Sequence, residues 1–305
     1  MGEALGLVVS LGALAWLAAA LDAALTNGGP WRAQARGGVL WGVGAVGREV
    51  ARLLVQQRRR TLLPDALLTR AGSVTLLVAP VLAAVVLPLG RTPVTDLDVG
   101  IVWFNAMEVC VWGALWLVGW GVNAVGPLVG GYRFVAQGVA YELPHMFALI
   151  TVALGAGSLR FGDVVDAQRE MWFVVWMPVA FLVYLVSALA MAFWGPMDQP
   201  LGRDVAGGVP AELSGPDRLV FQAGRYAVLV VVAAAAVPLF LGGGAGPVLP
   251  AWAWTLVKTV SVLALLVVAR HRLPAVRMDR FMGFAWTVLI PATLAQLLVV
   301  GIVVL

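Results

Sequence analysis

Apolar segments of about 20 residues recur along this chain, and they constrain its fold more than any other feature. Hydrophobic residues make up 61% of the 305 residues, charged residues make up 12%, and the mean hydropathy is +0.93. A soluble fold cannot bury that much apolar surface, so the composition indicates an all-α, polytopic membrane protein. About eight transmembrane helices with their loops account for the length, which predicts a single integral membrane domain over residues 1–305.

The predicted spans follow from the apolar runs and from the residues that interrupt them. The first ends before an Asn-Gly-Gly-Pro turn, and the second contains Pro80. The eight predicted spans are 4–26, 71–89, 99–122, 130–155, 171–194, 219–241, 250–269 and 281–305.

A basic segment, residues 31–70, separates the first two predicted spans and carries eight arginines. Within it, residues 45–57 place apolar side chains on one helical face and Arg48, Glu49 and Arg52 on the other. This spacing predicts an amphipathic helix that lies on the membrane surface. A solvated basic loop is the alternative.

The distribution of arginines predicts the orientation in the membrane. The loops after the first, third, fifth and seventh spans carry more arginines than the loops after the even-numbered spans. Basic loops stay on the cytoplasmic side, so we expect a multi-pass protein of the cell (inner) membrane with both termini on the non-cytoplasmic side.

The fourth predicted span carries an unusual number of polar residues. Arg133, Gln137 and Tyr141 follow a spacing of four residues and would form one polar stripe on a helix. Glu142 and His145 are three residues apart on a neighbouring face.

Pro144 lies between these two residues and has no N–H, so the carbonyl of Ala140 would lose its helical partner. A carboxylate, a histidine and a loosened turn at one depth suggest a hydrated pocket, because ionisable groups in lipid are costly and mark functional sites. The alternative is a polar cluster that only holds helices together.

Two further predicted spans carry an ionisable residue each. Glu108 follows Asn105 by three residues in the third span, and a lipid-facing glutamate there would cost about 2.5–3.5 kcal/mol, so Glu108 should face the bundle or a cavity. Lys258, the only lysine, lies in the seventh span. A buried lysine needs a carboxylate partner, and Glu108 or Glu142 is the expected one; the alternative is that Lys258 extends to the nearer membrane surface.

Composition also excludes several classes of site. The single cysteine, Cys110, rules out a disulfide framework and a cysteine cluster for zinc or iron–sulfur. Two histidines are too few for a haem or zinc site without distant partners, so no metal is predicted. The N-terminus lacks a basic segment typical of a cleaved signal peptide. The net charge of +4 reflects membrane topology rather than nucleic-acid binding.

Three motifs resemble one known family. The pattern G-x-R-x-x-A-Q-x-x-x-Y-E-L/V-P is present over residues 131–144, D-L-D-x-G-I lies at 96–101, and an R-x-x-x-x-R-x-D segment with later Trp, Leu and Pro lies at 272–291. Together they resemble the H-type subunits (the mitochondrial subunit 1 type) of the proton-pumping NADH:quinone oxidoreductase, respiratory complex I. The resemblance covers nearly the whole chain.

That resemblance implies a membrane-arm subunit that anchors the peripheral arm, forms the quinone chamber and helps couple quinone reduction to proton translocation. Such a chain is a non-redox subunit without a complete active site; it binds no cofactor, and quinone is the substrate of the complex. Its partners would be the other membrane-arm subunits, the quinone-proximal peripheral subunits and the lipid bilayer. The implied proton path consists of Glu108, Glu142, Lys258 and Asp198. The implied lining of the quinone chamber consists of Arg36, Arg133, Gln137 and Tyr141.

The chain also departs from the family pattern at positions that are usually charged. These positions are Thr26, Met191, Trp194, Leu201, Val205 and Arg225. The departures support an alternative, a divergent paralogue that serves as membrane anchor in a shortened or hydrogenase-like complex. A stand-alone transporter is a third hypothesis, against which the sequence shows no internal inverted repeat.

Overall fold

The computed structural model describes residues 2–26, 38–90, 93–202 and 207–304, and every regular element within these ranges is helical. The all-α prediction is therefore confirmed. The helices are α1 (Gly2–Leu25), α2 (Gly38–Val55), α3 (Ala66–Ala84), α4 (Gly100–Gly121), α5 (Val125–Ala156), α6 (Phe161–Ala167), α7 (Phe173–Trp176), α8 (Pro178–Met191), α9 (Gly215–Phe240), α10 (Ala251–Arg272), α11 (Met278–Phe284) and α12 (Ile290–Val304). A π-helical turn over Ala285–Leu289 joins the last two.

Seven helices of the described ranges are long and apolar enough to cross a membrane, and the chain is a multi-pass membrane protein. They are α1, α3, α4, α5, α9, α10 and the continuous segment Met278–Val304. The predicted fifth span, 171–194, differs, because it is divided into α7 and the shorter apolar helix α8. Met177 between them is not helical (φ −120°, ψ 48°), and Pro178 has no N–H to continue the preceding helix.

Capping explains where two helices begin and end. Helix α3 begins at Ala66 rather than at 71, because the Asp65 carboxylate accepts hydrogen bonds from the backbone N–H groups of Leu67 and Leu68 at 2.9 and 3.0 Å. Helix α5 continues through Pro144 and ends at Gly157, whose φ of 64° is readily adopted by glycine.

The predicted surface helix is present as α2, which begins at Gly38, seven residues earlier than the start predicted from the spacing. Leu53 is fully buried where α2 contacts α1 and α9, whereas Arg48 and Arg52 on the opposite face are exposed. The amphipathic helix, and not the solvated loop, is therefore correct.

Helix α9 is the centre of the bundle. Residues 227–240 are all buried, and α9 contacts α1, α2, α3, α8 and α10. Valine and alanine dominate this segment, and such small side chains allow neighbouring helices to approach closely. The hydroxyl of Tyr184 on α8 donates to the carbonyl of Val232 at 2.8 Å, which fixes α8 against this helix.

Helices α3, α4 and α5 pack side by side on one flank of α9. The α3–α4 approach is so close that a Cβ at Gly72 would lie 2.6 Å from the carbonyl oxygen of Ala114, so only glycine fits there. Helix α5 also contacts α8 and α12. As a result, the face that α4 and α5 share lies inside the bundle.

Candidate functional site

A polar cluster lies across the interface of α4 and α5. Glu108 on α4 and His145 on α5 approach with 3.0 Å between Oε2 and Nε2, and their side chains are only 4% and 0% exposed. Glu108 thus faces the bundle, as its position in an apolar helix predicted. A buried carboxylate beside an imidazole is an arrangement that can exchange a proton.

A second pair lies beside the first. The Asn105 amide donates from Nδ2 to Oε1 of Glu142 at 2.9 Å. Asn105 and Glu108 are three residues apart on α4, and Glu142 and His145 are three residues apart on α5, so each pair of neighbours shares a helical face. The four side chains therefore form one group, with each helix supplying two of them.

The two carboxylates lie at one depth. Gly138 on α5 lies against the indole of Trp112 on α4, and the chain directions of these consecutive helices are opposite. One turn before Trp112 is Glu108, and one turn after Gly138 is Glu142. The acids of the third and fourth predicted spans consequently belong to the same layer of the bundle.

Two tyrosines border the cluster. The indole Nε1 of Trp112 donates to Oη of Tyr141 at 2.8 Å, and the ring of Tyr184 on α8 lies 5.3 Å from the His145 ring, centroid to centroid. Both tyrosines are fully buried. The cluster is therefore enclosed by aromatic side chains as well as by helix backbones.

Several buried atoms of the cluster have no hydrogen-bond partner in the part of the chain that the structure describes. They are Glu108 Oε1, Glu142 Oε2, His145 Nδ1 and Asn105 Oδ1. Each such atom costs about 1–3 kcal/mol, and natural proteins retain few of them. A cluster that only held helices together would satisfy these atoms, so the geometry favours a functional group of residues over a structural one.

The remaining residues of the predicted chamber lining lie in different surroundings. Gln137 is buried, and its Nε2 donates to the carbonyls of Ala190 at 2.6 Å and Met197 at 3.0 Å, which ties α5 to the end of α8. Arg133, one turn earlier, is partly buried. Arg36 lies outside the described residues. The structure therefore brings Tyr141 to the acids and gives Gln137 a role in joining helices.

Asp198, the predicted third acid of the proton path, lies in the segment that follows α8. It is only 2% exposed and directly precedes a short 3-10 turn, Gln199–Leu201. The segment before it, 190–197, is also buried. The loop thus enters the bundle rather than lying on its surface.

Lys258 does not pair with Glu108 or Glu142, and that expectation is corrected. Its Nζ donates to three carbonyl oxygens, those of Leu241, Gly243 and Ala245, at 2.7, 2.9 and 2.8 Å. The Trp172 ring lies 4.2 Å from the same nitrogen. The physical reason is that α9 ends at this point, and unpaired carbonyls at a helix C-terminus attract a cation as well as a carboxylate does.

A second buried charged group, around Asp22, is one that the sequence did not reveal. Asp22, near the end of α1, accepts through Oδ2 from Arg270 Nη1 at 2.6 Å and from the Tyr226 hydroxyl at 3.2 Å. Its Oδ1 lies 2.9 Å from His271 Nε2. The only available signal was an acid in an otherwise apolar helix, since its partners lie more than 200 residues away.

Two departures from the family pattern contact each other beside this group. The guanidinium of Arg225 lies 4.3 Å from the ring centroid of Trp194, and that of Arg270 lies 4.8 Å from it. Both contacts are of the cation–π type, which favours arginine over lysine. Arg225 also donates to the carbonyl of Phe193 at 3.3 Å. These residues form a compact layer at the ends of α1, α9 and α10.

Outside the membrane-spanning helices, one exposed ion pair connects two loops. The Arg160 guanidinium donates to the Asp96 carboxylate, and this hydrogen bond holds the pKa of Asp96 below its usual value. The Ile101 N–H donates to the carbonyl of Leu159 at 3.0 Å in the same region. The start of α4 is thereby joined to the segment that precedes α6.

Comparison with known proteins gives this geometry a family. The family model described as NADH dehydrogenase matches residues 29–301. The NADH-quinone oxidoreductase H subunit 2 of Geobacter sulfurreducens is 37% identical over 210 residues, which cover 68% of this chain and 64% of the relative. The NADH-quinone oxidoreductase H subunit of Carboxydothermus hydrogenoformans is 32% identical over 228 residues, covering 73% and 65%. The chain thus spans slightly less than two thirds of the length of these relatives. It belongs to the NADH dehydrogenase family and is of the H-subunit type.

Proposed function

We propose that this chain is a membrane-arm subunit of an NADH:quinone oxidoreductase-like complex. It anchors the peripheral arm, forms the quinone chamber and helps couple quinone reduction to proton translocation. Family membership supports this function, and so do the names of the relatives, which are subunits of NADH-quinone oxidoreductases. The chain is a non-redox subunit: quinone is the substrate of the complex, and the chain itself binds no cofactor.

The buried cluster of Glu108, His145, Glu142 and Asn105 is the single observation that carries the coupling role. Glu108 faces a base, His145, whereas Glu142 faces a neutral amide. A proton can move between Glu108 and His145 along the 3.0 Å separation of Oε2 and Nε2. The outer atoms of this pair, Glu108 Oε1 and His145 Nδ1, have no partner among the described residues and can receive or release that proton.

The other residues of the implied path take supporting roles in this proposal. Asp198, buried in the segment after α8, is the acid through which protons enter or leave on the side of the peripheral arm. Arg133 and Tyr141 line the wall of the chamber, and Gln137 holds α5 and α8 at a fixed separation. Lys258 stabilises the end of α9 and takes no direct part in proton transfer.

We place both termini on the non-cytoplasmic side, which supports attachment of a peripheral arm at the arginine-rich loops. Asp22 contacts Arg270 and His271, so the end of α1 and the end of α10 lie on one side of the membrane. Both ends lead into arginine-rich segments, as expected for the cytoplasmic side.

Affinity purification from native membranes tests this function. A tag on the chain should recover other membrane-arm subunits and quinone-proximal peripheral subunits with iron–sulfur sites, identified by mass spectrometry. The purified assembly should reduce quinone with NADH. Recovery of the chain alone, as a homogeneous species from membranes solubilised in a mild detergent, would contradict the proposal.

A second candidate function is favoured by the contact between Arg225 and Trp194. These residues replace charged residues of the opposite or a different kind in the family pattern, and here they form a cation–π pair at 4.3 Å. A divergent paralogue that serves as membrane anchor in a shortened or hydrogenase-like complex would retain the scaffold with such changes. The same purification distinguishes the two, because that complex would contain hydrogenase-like components and lack NADH-oxidising ones.

A further inference from the structure

A cavity of about 140 Å³ lies where the N-terminal ends of α3 and α9 meet the loop that follows α2. Arg59, Arg60 and Arg70 contribute positive charge to its lining, and Glu212 and Asp217 contribute negative charge. Asp217 already lies 3.6 Å from Arg58, an arginine outside the cavity. The cavity therefore has a positive charge excess, which favours an anion.

One buried hydroxyl points to a ligand of this cavity. Ser73 on α3 lines the cavity and is only 6% exposed, and its Oγ has no hydrogen-bond partner within the described ranges. By contrast, the two threonines of the lining donate their hydroxyls to backbone carbonyls, Thr61 to Val122 and Thr69 to Asp65. Ser73 is thus a free donor at the inner wall, with arginines at the rim.

An apolar surface continues from the cavity along α3. Leu67, Val74, Val78 and Leu82 are 75%, 55%, 43% and 39% exposed, and their spacing places them along one side of the helix. Val74 also lines the cavity. An anion with a long apolar chain would satisfy both surfaces at once, whereas a free anion would leave the apolar stripe unused.

We propose that this cavity binds the phosphate group of an anionic phospholipid, with an acyl chain along α3. Ser73 donates its hydroxyl to a phosphate oxygen, and Arg59 and Arg70 neutralise the charge. The site lies at the predicted cytoplasmic surface, where anionic lipids attract basic residues. Inorganic phosphate shares this headgroup chemistry, and the experiment below separates the two sources. The proposal is independent of the proposed role in quinone reduction.

Lipid binding by the full chain in a neutral detergent tests the proposal. Phosphatidylglycerol and phosphatidylcholine are titrated separately, and bound lipid is counted by native mass spectrometry. We expect phosphatidylglycerol to bind more tightly. The double variant Arg59→Gln with Arg70→Gln should lose about 25-fold in affinity, because each arginine near a membrane surface contributes about fivefold. The matched control is Arg272→Gln with Arg280→Gln, two exposed arginines outside the cavity, which should retain the affinity.

A second variant keeps the test valid if the loss of two arginines perturbs folding. Ser73→Ala should lower the affinity for phosphatidylglycerol about fivefold with an unchanged unfolding temperature. Ser187→Ala is its control, because Ser187 on α8 is also buried, has an Oγ without a partner among the described residues and lies outside this cavity.

Competition with inorganic phosphate distinguishes the two sources of the anion. Selective losses in the cavity variants, with no displacement by millimolar inorganic phosphate, support the phospholipid site. Equal binding of phosphatidylcholine, or equal losses in the control variants, would overturn it. Displacement of the lipid by inorganic phosphate at comparable affinity would also overturn it, because the site would then serve free phosphate.

Discussion

Glu108 and His145 lie 3.0 Å apart across the α4–α5 interface, and neither side chain has appreciable contact with solvent. The neighbouring acid, Glu142, faces the amide of Asn105 instead. An imidazole can accept a proton and an amide cannot, so the two acids differ in function although they share a layer. Glu108 can exchange protons with a base inside the cluster, and Glu142 must exchange them with groups beyond it.

The first prediction concerns Glu142. The substitution Glu142→Gln keeps an oxygen that can accept the hydrogen bond from Asn105 but removes the ability to carry a proton. We expect proton-coupled quinone reduction by the parent complex to fall about tenfold or more, with normal assembly. The measurement is the coupled turnover of membrane preparations, normalised to the amount of assembled complex.

The control for this prediction is Glu170→Gln, which removes the same charge from an exposed position outside the helices. It should leave coupled turnover unchanged. If Glu142→Gln also left turnover at the wild-type rate, Glu142 would have no place in proton transfer, and the cluster would have to act through Glu108 alone.

The sequence predicted those parts of the cluster that depend on one helix only. The spacing of Glu142 and His145, and that of Asn105 and Glu108, follows directly from the helical period. The pairing across helices depends on how α4 and α5 slide past each other. That register is set by close contacts such as Gly138 against Trp112, which no local pattern reveals.

The partners of Lys258 and Asp22 show a different limit of sequence analysis. The sequence predicts a carboxylate partner for Lys258, yet its ammonium binds backbone carbonyls, which every residue carries and which no sequence pattern distinguishes. Asp22 binds residues more than 200 positions away. The spans themselves are predictable because apolar length is a local property, and the exception, the divided span 171–194, depends on the backbone at Met177.

The second prediction concerns Lys258. The substitution Lys258→Met should lower the free energy of unfolding by about 2 kcal/mol, because hydrogen bonds to a charged group contribute about 1.5–3 kcal/mol and the carbonyls after α9 would lose their donor. Coupled turnover per assembled complex should stay near the wild-type value. Equilibrium unfolding in detergent and turnover assays measure the two effects. A wild-type stability combined with lost coupling would place Lys258 on the proton path instead.

The third prediction concerns pH. The hydrogen bond from Arg160 lowers the pKa of Asp96 in the folded protein, so this pair stabilises the fold above the pKa of an unfolded aspartate, about 3.9. That contribution is lost as the pH falls through the folded-state pKa. We therefore expect Asp96→Asn to lower the unfolding temperature slightly at pH 7 and not at all at about pH 2, below both pKa values. High salt should reduce the difference at pH 7, since the pair is exposed. A difference that grew on acidification would contradict this sign.

The fourth prediction concerns the layer around Asp22. Asp22→Ala should lower the free energy of unfolding by about 3 kcal/mol, because it leaves Arg270 and His271 without their buried carboxylate. Arg270→Met in the Asp22→Ala background should restore part of that loss. A double-mutant cycle should then give a coupling energy of about 1–3 kcal/mol between the two residues. Simple additivity of the two changes would mean that the 2.6 Å contact contributes nothing, and that His271 and Tyr226 hold the Asp22 carboxylate by themselves.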